Sequence, residues 1–299
     1  MRIFVMVVQN GSLSSAGRVI GMSPASISRY INALEEGVGS RLLNRSSRKL
    51  ALTEAGQIYF KYTERVLHDL DEASSLISEI QGSPRGTLRV HSRLLVGTQK
   101  IVPALPEFMR RYPDVKIDLM MSNSVIDLIE QNIDIDIRIG ELPDSSLIAK
   151  KLLGSERVLC ASPGYLKDAP PIETPSHLAA HRCLTYRLNM GSAEWSFTDP
   201  SGVATHIDVA GAFQTDFGPA LRDMAVAGAG IALMPRWSVS EDIRNGTLIS
   251  LLNDYRVNIG QFDYTVYAVY QQNRYMSAKA RIFIDFLADV FRESKVQPE

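Results

Sequence analysis

Ala25, Ser28, Arg29 and Asn32 sit three, one and three residues apart, which on a helix turning 100° per residue gathers them on one face. Ile27, Ile31 and Leu34 fall within about 60° of one another on the other side, an apolar stripe that must face a core. The outward set is small, hydroxylic, basic and amide. Arginine bonds guanine in bidentate fashion, asparagine bonds adenine, and an alanine methyl packs on the thymine methyl. Ser26 and Tyr30 flank this face, within reach of phosphates. The competing reading of such a face is a plain solvated helix surface.

The elements that must position these residues are signalled locally. Ser23 is a good N-cap with Pro24 at the first helical position. Upstream, Ser12 caps a helix whose Leu13, Ala16 and Ile20 share a face, and Gly21-Met22 supplies a tight turn. Two short helices about a glycine turn predict a helix-turn-helix. Ser23, Pro24, Ala25, Ser26, Ser28, Arg29, Tyr30 and Asn32 are then its candidate DNA contacts. Downstream, Arg41–Leu43 and Lys49–Leu52 read as short strands about the turn Asn44–Arg48. A hairpin tipped by Arg45 and Arg48 is a wing whose arginines enter a minor groove or clamp phosphates.

Charge is distributed to match. The 299 residues sum to −1, which alone argues against a nucleic-acid partner. Yet residues 1–52 carry seven Lys and Arg against two Asp and Glu, whereas residues 53–82 carry two against six. Positive charge is concentrated where a phosphate backbone would meet it. The apolar run Ile3–Val8 is six residues, shorter than a signal-peptide core of about 7–15, and no run reaches the roughly 18 of a membrane helix. The expected location is the cytoplasm, with no membrane partner. Cys160 and Cys183 read as reduced, buried thiols.

Thr53 can cap a helix running to about Gln81, with apolar residues at Tyr59, Tyr62, Val66, Leu70, Ala73, Ile77 and Ile80. This heptad-like seam predicts a linker helix that forms a homodimer. Gly82–Gly86 breaks it. From Thr87 onward strands and helices alternate: strand 87–91, helix 101–112, strand 115–121, helix 125–131, strand 133–139. Such βαβαβ order implies a parallel sheet that binds ligands at its strand carboxyl ends, here Ser92-Arg93, Ser122-Asn123 and Arg138–Gly140.

The segments Gly11–Ala16, Gly21–Arg29, Leu34-Glu35, Gly39, Arg41–Arg45 and Leu52–Gly56 together resemble the LysR-type transcriptional regulators, specifically their CrgA-like branch. Tyr112–Val115, Asp134–Gly140, Cys160–Leu166 and Ala227–Pro235 extend the resemblance over nearly the whole chain. It implies an α/β protein overall: an all-α-plus-hairpin winged helix-turn-helix (1–52), a linker and dimerisation helix with hinge (53–86), and an effector-binding domain (87–299). That last domain would be two-lobed and periplasmic-binding-protein-like, with lobe I at 87–161 and 266–299 and lobe II at 162–265, crossing near Ser162 and Tyr264. It further implies double-stranded DNA and a small-molecule effector as partners, and a homodimer or homotetramer. The sequence departs from the family in a short first helix, as from a start several residues late. It also has Gly17 in a helix where alanine is usual and Arg93 where proline is usual.

Both arguments nominate Ser92, Arg93, Thr98, Ser122, Asn123, Arg138, Thr215 and Asp216 as effector contacts. Arg93 favours an organic anion such as a carboxylate. Arg138 has a second reading, an ion pair with Asp134 or Asp136. Gly228-Ala229-Gly230 lacks the third glycine of a dinucleotide loop, and His177, His181 and Cys183 lack a fourth metal ligand. No nucleophile elbow, zinc-protease or P-loop motif occurs, so no catalytic residue, metal or cofactor is expected. The alternative to a regulator is a ligand-binding module without a DNA role.

Overall fold

The apolar N-terminal run forms α1 (Arg2–Gln9), burying Phe4, Val5 and Val7. Ser12 Oγ accepts from Ser15 N at 3.0 Å and starts α2 (Leu13–Ile20), which ends at Gly21 in the left-handed region, φ 72°. Ser23 Oγ accepts from Ser26 N and starts α3 (Pro24–Val38). In this computed structural model the described residues are all except 47–48, 81–83, 141–146, 155, 188–192, 260–264, 273–275 and 297–299. The chain divides into two units, Met1–Gly86 and Thr87–Glu299.

In the first unit, Ile27, Ile31, Leu42 and Leu43 join Phe4 and Ala16 in one core. Glu35 ties α3 to the hairpin: its Oε1 accepts from Leu42 N at 2.8 Å and Leu43 N at 3.0 Å. The hairpin pairs β1 (Leu43–Ser46) antiparallel with β2 (Lys49–Leu52). Thr53 then caps α4 (Glu54–Ile80), its Oγ1 accepting from Gly56 N while donating to the Arg41 carbonyl. Along α4 the seam departs from expectation in one place. Tyr59 turns inward with Phe60 against Phe4, at ring-centroid distances of 5.6 and 6.3 Å. Ile58 takes its place on an outer stripe with Tyr62, Val66, Leu70 and Ile77, all exposed. The side chain of Ile80 lies outside the described residues.

The second unit opens with β3 (Gly86–Ser92), a short helix α5 (Leu94–Val96), a π-helical turn (Gly97–Ile101) and α6 (Val102–Arg111). β4 (Val115–Met121), β5 (Ile135–Ile139) and β6 (Leu147–Leu153) follow. The expected helix over 125–131 does not form. Asp127 Oδ1 captures the N–H groups of Ile129 and Glu130, and Asn132 sits at φ 53°, so the segment closes as a turn. β7 (Arg157–Ala161), α7 (Pro163–Lys167), β8 (Cys183–Tyr186), β9 (Ala193–Thr198), β10 (Ala204–Val209) and β11 (Gln214–Thr215) come next. The chain continues through α8 (Gly218–Val226), β12 (Ile231–Pro235), α9 (Arg236–Arg244), β13 (Ile249–Leu251) and β14 (Arg256–Ile259). It closes with β15 (Val266–Gln271) and α10 (Ala278–Val296).

One sheet has the order β4-β3-β5-β15-β6, the other β11-β8-β12-β7-β13, with a small third sheet β10-β9-β14. β3 and β5 run parallel, whereas β15 is antiparallel to both its neighbours, so the first sheet is mixed. β7 pairs with β12 and β13 in the second sheet. β7 therefore belongs to the second lobe and the first crossing precedes Arg157 rather than lying near Ser162, because a buried apolar strand belongs with the sheet that covers both its faces. Tyr264, expected at the return crossing, lies outside the described residues. Phe108, Phe283 and Leu287 centre the first lobe, and Leu159, Trp195 and Ile231 the second.

Candidate functional site

On α3, Ala25, Arg29, Tyr30 and Asn32 are exposed and Ser26 and Ser28 are half-buried. Arg29 Nη2 lies 3.5 Å from Ser26 Oγ, and Ser26 Oγ lies 3.0 Å from Ser23 Oγ, so the cap and the arginine share one hydroxyl cluster. Ser23 and Pro24 thus start the helix while remaining exposed at its N-terminus, where N–H groups meet an anion well. Arg45 stands on β1 opposite Leu50, and Arg48 lies outside the described residues. Unforeseen is Glu35, whose carboxylate fixes the angle between this helix and the hairpin.

The second unit holds a cleft of about 900 Å³ between its lobes. Of the expected contacts, Arg93, Ser122, Asn123 and Asp216 line it. Four do not. Ser92 is fully buried with its Oγ donating to the Arg93 carbonyl. Thr98 donates back to the Leu94 carbonyl at 2.8 Å, within its own helical turn. Thr215 Oγ1 accepts from Phe217 N, shaping the turn that presents Asp216. Arg138 pairs with the buried Asp136 and donates to the Ile126 carbonyl, the ion-pair reading of this residue. Ser92, Thr215 and Arg138 hold neighbouring backbone or carboxylate groups, and Thr98 stays exposed on its own turn.

Sequence reasoning missed Arg157, Tyr186 and Arg187, which the second lobe brings to the same cleft. No local pattern marks them, because only the pairing of β7 and β8 on either side of β12 aims them there. Among the described residues the charged lining groups are then Arg93, Arg157 and Arg187 against Asp216. Burial pushes the Tyr186 hydroxyl above its ordinary range, opposed by Arg93 and Arg157 and reinforced by Asp216. Ser122, Asn123, Ser124 and Tyr186 add hydroxyl and amide groups, and most of the remaining described wall is apolar, including Leu95, Phe217 and Trp237. Lys100 stacks behind Trp237 at 5.6 Å from the ring centre, and burial lowers its ammonium from the usual lysine range. The lobes meet where Asn123 Nδ2 donates to the Asp216 carbonyl at 2.6 Å while its Oδ1 accepts from Leu94 N.

The histidines weighed as metal ligands have other work. His177 Nδ1 accepts from Glu173 N, His181 Nδ1 faces the Tyr165 hydroxyl, and Cys183 Sγ faces the Leu178 carbonyl. Among the described residues no cluster of His, Cys, Asp or Glu is placed to hold a metal, and no helix is long and apolar enough to cross a membrane.

A capped helix-turn-helix with a hairpin wing, joined by a long helix to two lobes around a charged cleft, is the architecture of a ligand-responsive transcriptional regulator. Residues 1–57 match the bacterial regulatory helix-turn-helix protein model of the lysR family, and residues 81–292 match the LysR substrate binding domain. The chain belongs to the LysR family of transcriptional regulators. It is 33% identical over 289 residues to the HTH-type transcriptional regulator CrgA of Neisseria meningitidis, covering 97% of this chain and 95% of that protein. The HTH-type transcriptional activator TtdR of Escherichia coli is 32% identical over 290 residues, covering 96% and 91%. Among solved structures, the full-length Vibrio cholerae virulence activator AphB superposes with a TM-score of 0.63 at 33% identity, covering 96% and 97%. CrgA itself superposes with a TM-score of 0.62 at 32% identity, covering 97% of each chain.

Proposed function

We propose that this regulator reads its operator with Arg29 and Asn32 and answers to a small organic anion held by Arg93, Arg157 and Arg187. Ser23, Ser26, Ser28 and Tyr30 position α3 on the phosphates, with Ala25 against a base edge and Arg45 and Arg48 gripping the backbone from the wing. The seam on α4 makes a homodimer in the cytoplasm, and two such dimers make the working tetramer. Anion binding changes the relation of the two lobes and so the spacing of the DNA-reading helices, a coupling between distinct sites.

The observation that carries the effector class is the charge of the cleft: among the described lining residues, three arginines and one aspartate beside a few hydroxyl and amide groups and a largely apolar remainder. Guanidinium groups suit carboxylates and phosphates, and the apolar wall suits a carbon skeleton. Thermal shift of the whole protein against small carboxylates, phosphorylated sugars, amines and neutral sugars tests it. Carboxylates should raise Tm, and Arg93→Ala should abolish the rise. A rise with amines or neutral sugars alone, or an undiminished rise in Arg93→Ala, would refute the assignment.

A further inference from the structure

Behind the cleft wall lies a chain of three side chains that neither the DNA-reading face nor the arginine cluster uses. Asp136 on β5 stands opposite His91 on the parallel strand β3. Its Oδ1 is 2.7 Å from His91 Nδ1, and both residues are buried, at 2% and 1% exposure. On the far side of the ring, His91 Nε2 is 2.9 Å from Ser122 Oγ. Ser122 lines the cleft, so this chain ends where a ligand would begin. Ser122 N also donates to the Ser92 carbonyl, which holds the serine on the strand end next to Arg93.

The directions of these hydrogen bonds follow from charge. Arg138 already balances the Asp136 carboxylate. For the neutral imidazole ring, the roles of the two nitrogens are fixed by their partners. Asp136 accepts only, so Nδ1 carries the proton and Nε2 is a bare acceptor. Ser122 must then spend its single hydroxyl proton on Nε2, leaving lone pairs alone for the cleft.

We propose that Asp136, His91 and Ser122 act as a relay that fixes Ser122 as a hydrogen-bond acceptor, so the bound anion carries a donor, a hydroxyl, close to its carboxylate. The inference rests on the organic-anion reading and sharpens it: Arg93 takes the carboxylate and Ser122 takes the hydroxyl. Neighbouring strand ends are about 5 Å apart, the scale of a carboxylate and a hydroxyl on adjacent carbons with the side chains leaning inward. An acid lacking the hydroxyl leaves the Ser122 lone pairs unmet, and an anion set against them is repelled.

The test is titration calorimetry of the whole protein with matched acids: phenylacetate against mandelate, butyrate against 2-hydroxybutyrate, and glutarate against 2-hydroxyglutarate. Among pairs that bind, the hydroxy acid should be tighter by about ten-fold, the worth of one hydrogen bond and one avoided repulsion. In Ser122→Ala the two members of a pair should bind alike. In Asp136→Asn the amide donates to Nδ1, moving the ring proton to Nε2 and turning Ser122 outward as a donor, so the preference should vanish or reverse. Should Asp136→Asn unfold for want of the Arg138 pair, Ser122→Ala still decides. Equal binding within pairs by the parent protein, or a preference that survives in Ser122→Ala, overturns the relay while leaving the anion reading intact. Binding by none of the six acids overturns the anion reading itself and the relay with it.

Discussion

Gly17 shows how a single residue can be misjudged by propensity alone. Glycine within a helix costs about 1 kcal/mol relative to alanine, so its presence in α2 looks like a weakness. Yet Gly17 is buried, and a Cβ built there would lie 2.5 Å from the Met22 carbonyl oxygen. The turn into α3 passes against the helix backbone at this point, and only glycine leaves room. Gly17→Ala should therefore destabilise the protein by roughly 1–3 kcal/mol, the cost of overpacking outweighing the propensity gain. A thermal melt decides it, because a rise in Tm would mean that propensity wins. At the same scale, burial pushes the Cys160 and Cys183 thiols each up to about 12. The unfolded chain loses these protons first as pH rises from about 9 towards 12, so stability should fall over that window. At pH 8 neither thiol should be alkylated by iodoacetamide in the native protein, and both should react in urea. Mass spectrometry of the labelled protein checks this, and rapid native labelling of either cysteine would contradict the burial described.

At the scale of elements, α4 presents Ile58, Tyr62, Val66, Leu70 and Ile77 on one exposed stripe. A stripe of that length is more apolar than a solvated helix tolerates and fits a partner copy. Leu70→Glu should halve the mass of the assembly in light scattering, and an unchanged mass would place the dimer contact elsewhere. What was legible at this scale divides by the range of the interactions involved. The caps Ser12, Ser23 and Thr53, the turn at Gly21 and the inward stripe of Ile27 and Ile31 are set by neighbours within a few residues, and the sequence displays them directly. The stripe on α4 was off by one position at Tyr59, because α1 supplies Phe4 as an inner partner that no heptad pattern reveals. Residues 125–131 read as a helix between two strands, but Asp127 spends its carboxylate on the local backbone and the segment closes as a turn instead. The cleft was half legible for the same reason. Arg93, Ser122 and Asn123 end strands whose order could be read, whereas Arg157, Tyr186 and Arg187 reach it through the sheet pairing of the second lobe.

The whole molecule joins two units with separate cores, one carrying a positively charged DNA module and the other an arginine-lined cleft. Family membership establishes the regulator, and the proposal that the exposed residues of α3 read particular bases is the central claim built on it. That central claim is tested most directly by genomic footprinting of the tagged protein beside its Arg29→Ala variant. The expected result is discrete upstream peaks for the parent that vanish or spread in the variant. With the recovered operator in vitro, the variant should lose roughly 1–3 kcal/mol of affinity and some sequence preference. Peaks unchanged in Arg29→Ala would contradict base reading by this residue. No discrete peaks from a folded parent protein would contradict the DNA-reading account as a whole and leave the second unit as a ligand binder alone.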